Sequence, residues 1–187
     1  RYPIEFNIQR KPTSQWTVTG AGAFVVGEGT MGPAITEATF GRVLDLGCKD
    51  PNDLGSAMAP AAFDTIQRHL ADTNRQPAEY DLILTGDLSR VGTTMLYELC
   101  RQGGLDLTDR HQDAGIMIFR PEQGVHAGGS GCACSAVTLA GPIFRRLQAG
   151  ELGRVMIVAT GALFSPLSYQ QGDSIPCVAQ AVTIERG

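Results

Sequence analysis

No run of apolar residues in this 187-residue chain approaches the ~20 that a membrane-spanning helix needs. No basic cluster exceeds two neighbours, and the formal net charge is −4. Both facts argue against nucleic acid as the main partner. The five cysteines include no CxxC pair and no histidine at zinc spacing. Cys132 and Cys134 are one residue apart, and there is no second pair to complete a zinc site. An odd number of thiols without a pairing pattern points to reduced cysteines in a reducing compartment. No secretory leader opens the chain, and Arg1-Tyr2-Pro3 carries no start signal, so the sequence reads as a fragment or trimmed piece. Disorder is excluded as well, since 43% apolar and 18% charged residues are enough for a full core.

What is present centres on Gly124-Val125-His126-Ala127-Gly128-Gly129-Ser130-Gly131-Cys132-Ala133-Cys134-Ser135-Ala136. Its glycines permit positive φ and close backbone approach. The helix that follows begins with unpaired N–H groups and a partial positive charge, a ready place for a carboxylate or phosphate. Cys132 and Cys134 cannot point the same way on a helix, so at most one faces a cavity while the other packs.

Residues 1–15 read as a loop or arm. Gly20 to Val26 suits a buried strand crossed closely by another backbone, and Ala34 to Asp45 suits a second strand. A helix capped by Ser56, with Pro60 in its first turn or so, should run to about Asp72. His69 near its end reads as a surface histidine complementing the helix dipole. Tyr80 to Thr85 is a short continuous apolar run, the mark of a strand covered on both faces. Gly86-Asp87 follows where open α/β sheets hold ligands. Asp87 has two readings, ligand contact or turn carboxylate. A helix capped by Thr93 or Thr94 ends at Gly103-Gly104. His111 sits in a polar connection and reads as solvated. Ala114 to Phe119 reads as a strand or extended stretch. The glycine turn then enters a helix over about 131–148, with a kink or break at Gly141-Pro142. Arg154 to Thr160 is the clearest buried strand. A loop from Gly161 to Pro176 carries Phe164 and Tyr169, and Cys177 to Glu185 closes the sheet. The order ββαβα(β)αββ predicts an α/β layered fold, a mixed sheet covered by helices.

This order, with its glycine-rich turn and final pair of strands, resembles the C-terminal half of the thiolase fold. The runs Val43-Leu44-Asp45-Leu46-Gly47, Gly55 to Ala62, Asp81 to Ser89, Ala127 to Ala136, Val158 to Leu163 and Ser174 to Cys177 resemble the stage V sporulation protein AD family more closely. The resemblance implies a thiolase-like layered αβα architecture and a pseudo-duplicated protein of about twice this length. Residues 1–30 would then be an arm and the last strand of a missing N-terminal half, and 31–187 the C-terminal half.

The resemblance further implies binding of dipicolinic acid (pyridine-2,6-dicarboxylate) for its uptake into the developing spore. The setting would be a channel assembly with other stage V sporulation A-operon membrane proteins, peripheral to the spore inner membrane. Ca²⁺ would accompany dipicolinate as its chelate, and a homodimer is a further implied partner. Condensing enzymes of this fold need a cysteine nucleophile and basic or hydrogen-bonding partners. The ketoacyl-synthase histidine would fall at or next to Gly86 and the asparagine near Ser130, and neither residue type is present. The thiolase Gly-His-Pro has no match, because His126 lies a few residues early without a following proline. Thr160-Gly161 stands near the second thiolase cysteine. Non-catalytic binding would draw on Asp87, His126, Gly129, Ser130, Gly131, Cys132, Thr160 and Phe164, with Asp87 repelling the dianion unless a Ca²⁺ bridges the two. An acyl-CoA or acyl-carrier condensing enzyme and a purely structural adaptor are the alternatives.

Overall fold

The two continuous apolar runs become adjacent parallel strands inside a five-stranded sheet. The structure, a computed structural model, describes residues 11–29 and 31–187. Its elements are β1 (Gln15–Thr17), β2 (Ala34–Phe40), α1 (Leu54–Thr73), β3 (Leu82–Thr85), α2 (Ser89–Gln102), β4 (His111–Asp113), α3 (Ala114–Met117), β5 (Gly128–Ser130), α4 (Ala133–Thr138), α5 (Phe144–Ala149), β6 (Arg154–Ala162), α6 (Pro166–Gln170) and β7 (Cys177–Glu185). The sheet order is β2-β7-β6-β3-β4. Strand β3 pairs in parallel with β4 and β6, and β7 pairs antiparallel with β6 and β2. Strands β1 and β5 form a separate parallel pair.

Period-two alternation divides the core between the two faces of this sheet. Ile83, Met156, Val158, Ala179 and Ala181 pack under Leu54, Met58, Ala62 and Ile66 of α1 and Leu96 of α2. Leu82, Leu84, Val155, Ile157 and Ile184 face Ala133, Cys134, Ile143 and Leu147 of α4, α5 and the turn between them. Helices therefore cover both faces, which is the mixed, layered α/β arrangement expected. The bend expected at Gly141-Pro142 is a π-helical turn, Leu139–Ile143, joining α4 to α5; proline there has no N–H to continue the ladder.

Several local expectations are corrected. The helix α1 starts two residues before Ser56, and its cap is Asp53, whose carboxylate accepts from Ser56 N at 3.2 Å. Pro60 lies inside that helix, past its first turn. The helix α2 starts at Ser89, not at Thr93 or Thr94, and Leu88 at its cap position offers no side-chain bond. Ala114 to Phe119 contains the short helix α3, capped by Asp113 accepting from Ile116 N, and the strand lies just upstream as β4. The β2 ladder ends at Phe40, with only an isolated bridge from Leu44 to Cys177 beyond it.

Residues 20–26 form no strand. Close approach does occur there, but the crossing element is α4: a Cβ on Gly22 would collide with Ala136 O, and one on Gly20 would lie 2.6 Å from Val137 Cγ2. Phe24 packs edge-on against Phe144, with ring centroids 5.5 Å apart. A strand needs a ladder beside it, and among the described residues none lies alongside this segment. The arm read over residues 1–15 falls mostly outside the described residues; within it, 11–14 make a turn closed by Ser14 N to Lys11 O at 2.9 Å.

Both histidines read as surface groups are buried. His69 lies under β2 and β7, its Nδ1 2.8 Å from Thr39 Oγ1 and its Nε2 2.7 Å from Thr183 Oγ1. Burial, as the larger effect, lowers its pKa against the pull of Glu37. His111 sits on β4 between Thr85 and Tyr97.

Candidate functional site

Strand β3 delivers Gly86-Asp87 to the carboxyl edge of the parallel strands, beside Thr160 on β6. The glycine turn reaches the same place from the other side through β5. Asp87 is buried there. Its Oδ2 accepts from Gly131 N at 2.7 Å and from Ser130 Oγ at 3.4 Å, and its Oδ1 accepts from Thr160 Oγ1 at 2.9 Å. Asp87 N in turn donates to Thr160 Oγ1 at 3.2 Å. The carboxylate thus ties the end of β3 to the turn and to β6 through charge-assisted bonds. Gly131 holds φ 103°, a conformation favouring glycine, so the turn can present its N–H to the acid.

Four of the expected residues, Asp87, Ser130, Gly131 and Thr160, are therefore brought together by direct bonds. Gly129 sits beside them, buried, with its carbonyl turned to Ser89. His126, Cys132 and Phe164 are exposed on the flanks. Among the described residues no hydrogen bond or ring contact joins these three to the Asp87 cluster. Phe164 faces Tyr169 instead, with ring centroids 6.0 Å apart. The two neighbouring thiols diverge as expected: Cys132 is exposed and Cys134 is buried. An alkylating reagent should therefore modify Cys132 in the native protein while Cys134, Cys100 and Cys177 stay protected, as mass spectrometry would read. Burial also pushes the Cys100 thiol up to about 11 and the Cys177 thiol up to about 12, leaving almost no thiolate to react at neutral pH. Equal labelling of Cys132 and Cys134 would contradict this geometry.

A second layer behind the turn was missed by sequence reasoning. Ser89 Oγ donates to Gly129 O at 2.7 Å, and Gln15 Nε2 donates to Ser89 Oγ and to Asp87 O, both at 2.8 Å. Asp113 accepts from Thr85 Oγ1 at 2.7 Å, from Leu88 N and Ser89 N at 2.9 Å, and from Ile116 N at 3.1 Å. Since the Thr85 hydrogen goes to Asp113, His111 Nε2, 2.8 Å away, carries a proton toward Thr85, and Nδ1 accepts from Tyr97 OH at 3.0 Å. Burial drives His111 down to about 4. Burial also drives Asp113 up to about 6, against the hydrogen bonds that favour its charged form. An N-cap signal at Asp113 was present in the sequence; the apolar residues after it masked it.

The space at Gly86 is also informative. A Cβ there would lie 2.8 Å from Thr160 Oγ1 and 3.2 Å from Thr160 N. A side chain there would push the Thr160 hydroxyl away from Asp87 and press on the Thr160 amide. The backbone at Gly86 is therefore packed directly against β6.

Among the described residues no helix is long and apolar enough to cross a membrane. The model of the family described as stage V sporulation protein AD matches residues 1–185. The chain is 50% identical over 186 residues to stage V sporulation protein AD of Bacillus subtilis (strain 168), covering 100% of this chain and 55% of that protein. It thus spans little more than half the length of the curated relative it matches. Among solved structures, a tetronic acid condensing enzyme is 16% identical over 86% of this chain and 49% of its own, with a TM-score of 0.49. The 3-oxoacyl-[acyl-carrier-protein] synthase III of Aquifex aeolicus is 19% identical over 71% of this chain and 38% of its own, with a TM-score of 0.36. Both TM-scores are below 0.5, so membership rests on the sequence matches. The chain belongs to the stage V sporulation protein AD family.

Proposed function

We propose that this chain is the non-catalytic C-terminal half of a thiolase-like protein that binds dipicolinic acid for uptake into the developing spore. It would act beside the membrane proteins of the same sporulation assembly, peripheral to the spore inner membrane. The observation that carries the reading is the Asp87 clamp. An internal carboxylate takes the Gly131 N–H and the Thr160 hydroxyl, where condensing chemistry would need donors aimed at a developing oxyanion. Exposed His126 and Cys132 remain beside the turn, and the imidazole is the group there that can meet a carboxylate of a flat dianion.

The residues around Asp87 do not suit a Ca²⁺ bridging it to dipicolinate. Its two oxygens already accept from Thr160, Ser130 and Gly131, and among the described residues no group of three or more His, Cys, Asp or Glu is gathered for a metal. Titration calorimetry of the full-length protein with dipicolinate tests the proposal. Saturable heat is expected, with affinity reduced about tenfold by His126→Ala through loss of a charge-assisted contact. Absence of heat with the wild-type protein sinks the binding reading. Covalent labelling by an acyl-CoA or acyl-carrier thioester sinks the non-catalytic one.

A further inference from the structure

The glycine turn is gripped at two points by two buried carboxylates, Asp87 just past the end of β3 and Asp113 at the end of the neighbouring β4. Asp87 holds Gly131 N directly. The second grip is indirect. Asp113, at the end of β4, takes the Leu88 and Ser89 amides, and the Ser89 hydroxyl then holds Gly129 O at 2.7 Å. Ser89 is fully buried and keeps φ at 57°, a left-handed backbone costly for a residue with a Cβ. Such a conformation persists only where its surroundings hold it, and here the Asp113 carboxylate is what binds the Ser89 amide. Space around the grip is tight: a Cβ on Gly115 would lie 2.6 Å from Gly129 O and 2.8 Å from Ser89 Oγ, and one on Gly128 would lie 2.9 Å from Ser89 Oγ.

From this geometry we infer that Asp113 is a positioning residue for the glycine turn, acting through the left-handed Ser89 on the Gly129 carbonyl. The inference rests on the proposed binding role only in saying what the turn is for. With Asp87, Asp113 fixes both ends of Gly129-Ser130-Gly131, so the outward side of the turn is presented in one conformation and ordering it adds no cost when an anion binds.

The test compares wild type, Asp113→Asn, Ser89→Ala and the double variant in the full-length protein. Asparagine would present an NH₂ toward amides that need an acceptor. Ser89→Ala removes only the hydroxyl, and keeps the test decisive should Asp113→Asn not fold. The first readout is amide hydrogen exchange of peptides covering residues 127–134. Each variant should speed exchange there by about tenfold, with β6 and β7 unchanged, and the double variant should match the larger single effect because both residues act along one chain of bonds. The second readout is dipicolinate affinity, expected to weaken in parallel. Unchanged exchange at the turn in Ser89→Ala, exchange raised equally in β6 and β7, or additive single effects would each overturn the positioning role. A wild-type protein that gives no heat with dipicolinate would fail the proposed function while leaving the exchange readout to judge Asp113.

Discussion

Replacing Gly92 by alanine should lower the unfolding free energy by about 2 kcal/mol, although alanine is the better helix former by ~1 kcal/mol. Gly92 lies in α2 where it crosses α1 at Gly55. A Cβ on Gly92 would lie 2.5 Å from Gly55 O, 2.6 Å from Gly55 C and 2.9 Å from Gly55 Cα. All three are backbone atoms, so no rotamer change makes room. The helices must part, and that opens the packing of Leu54, Met58, Leu88 and Leu96 on one face of the sheet. Overpacking of this kind outweighs the gain in propensity. Denaturant unfolding with an unchanged slope checks the size. Gly141→Ala is the control: its added Cβ meets only the far end of Arg145 at 3.9 Å, and it should leave stability the same or slightly raised. A Gly92→Ala protein as stable as wild type would show that the two helices slide apart freely.

Acid should unfold the protein partly through His111. Burial disfavours the charged imidazole and pushes it down to about 4 in the folded protein, from an ordinary 6.5. Unfolding therefore takes up a proton between these values. The contribution is whole above about 6.5, is lost progressively down to about 4 by roughly 3 kcal/mol, and changes little below that. Burial of His69 works in the same direction. Asp113 works in the opposite one: with a folded pKa raised to about 6, it binds its proton earlier in the folded state, which adds stability as pH falls from about 6 toward 3.8. The two groups meet on the Thr85 hydroxyl, so single variants separate them better than the wild-type curve does. His111→Gln should be less stable than wild type at pH 7, and the gap should shrink steadily toward pH 4. Asp113→Asn should steepen the acid loss. Urea unfolding at a series of pH values measures both, and a wild-type minus His111→Gln difference that is constant from pH 7 to 4.5 would reject the buried neutral histidine as an acid trigger.

The parts legible in the sequence carry a local, repeating signal. The apolar runs Tyr80 to Thr85 and Arg154 to Thr160 and the last stretch Cys177 to Glu185 each contain a strand of the central sheet. Helical periodicity located α1, α2 and the bent helix after the glycine turn. The one-residue spacing of Cys132 and Cys134 was enough to send one thiol outward and the other inward. The end of a buried strand pointed to Asp87, the glycine turn to Ser130 and Gly131, and the thiolase resemblance to Thr160, and these four are bonded to one another. Their arrangement was not legible, because the bonds from Asp87 to Gly131 and Thr160 join residues 44 and 73 positions apart.

The errors share one cause. Gly20 to Val26 carries strand-forming residues, but a strand is defined by its neighbour, and α4 occupies that side. His69 and His111 look like surface residues in a polar context; β2 and β7 cover the first, and hydroxyls from β3 and α2 receive the second. Burial of a polar side chain depends on a partner brought from elsewhere in the chain. The sequence by itself determined the α/β order, the family and the place of the glycine turn, since hydrophobic periodicity and motif identity are written residue by residue. Only the tertiary structure decided that the turn is clamped by Asp87 and, through Ser89, by Asp113, because that pairing exists only once β3, β4 and β6 lie side by side.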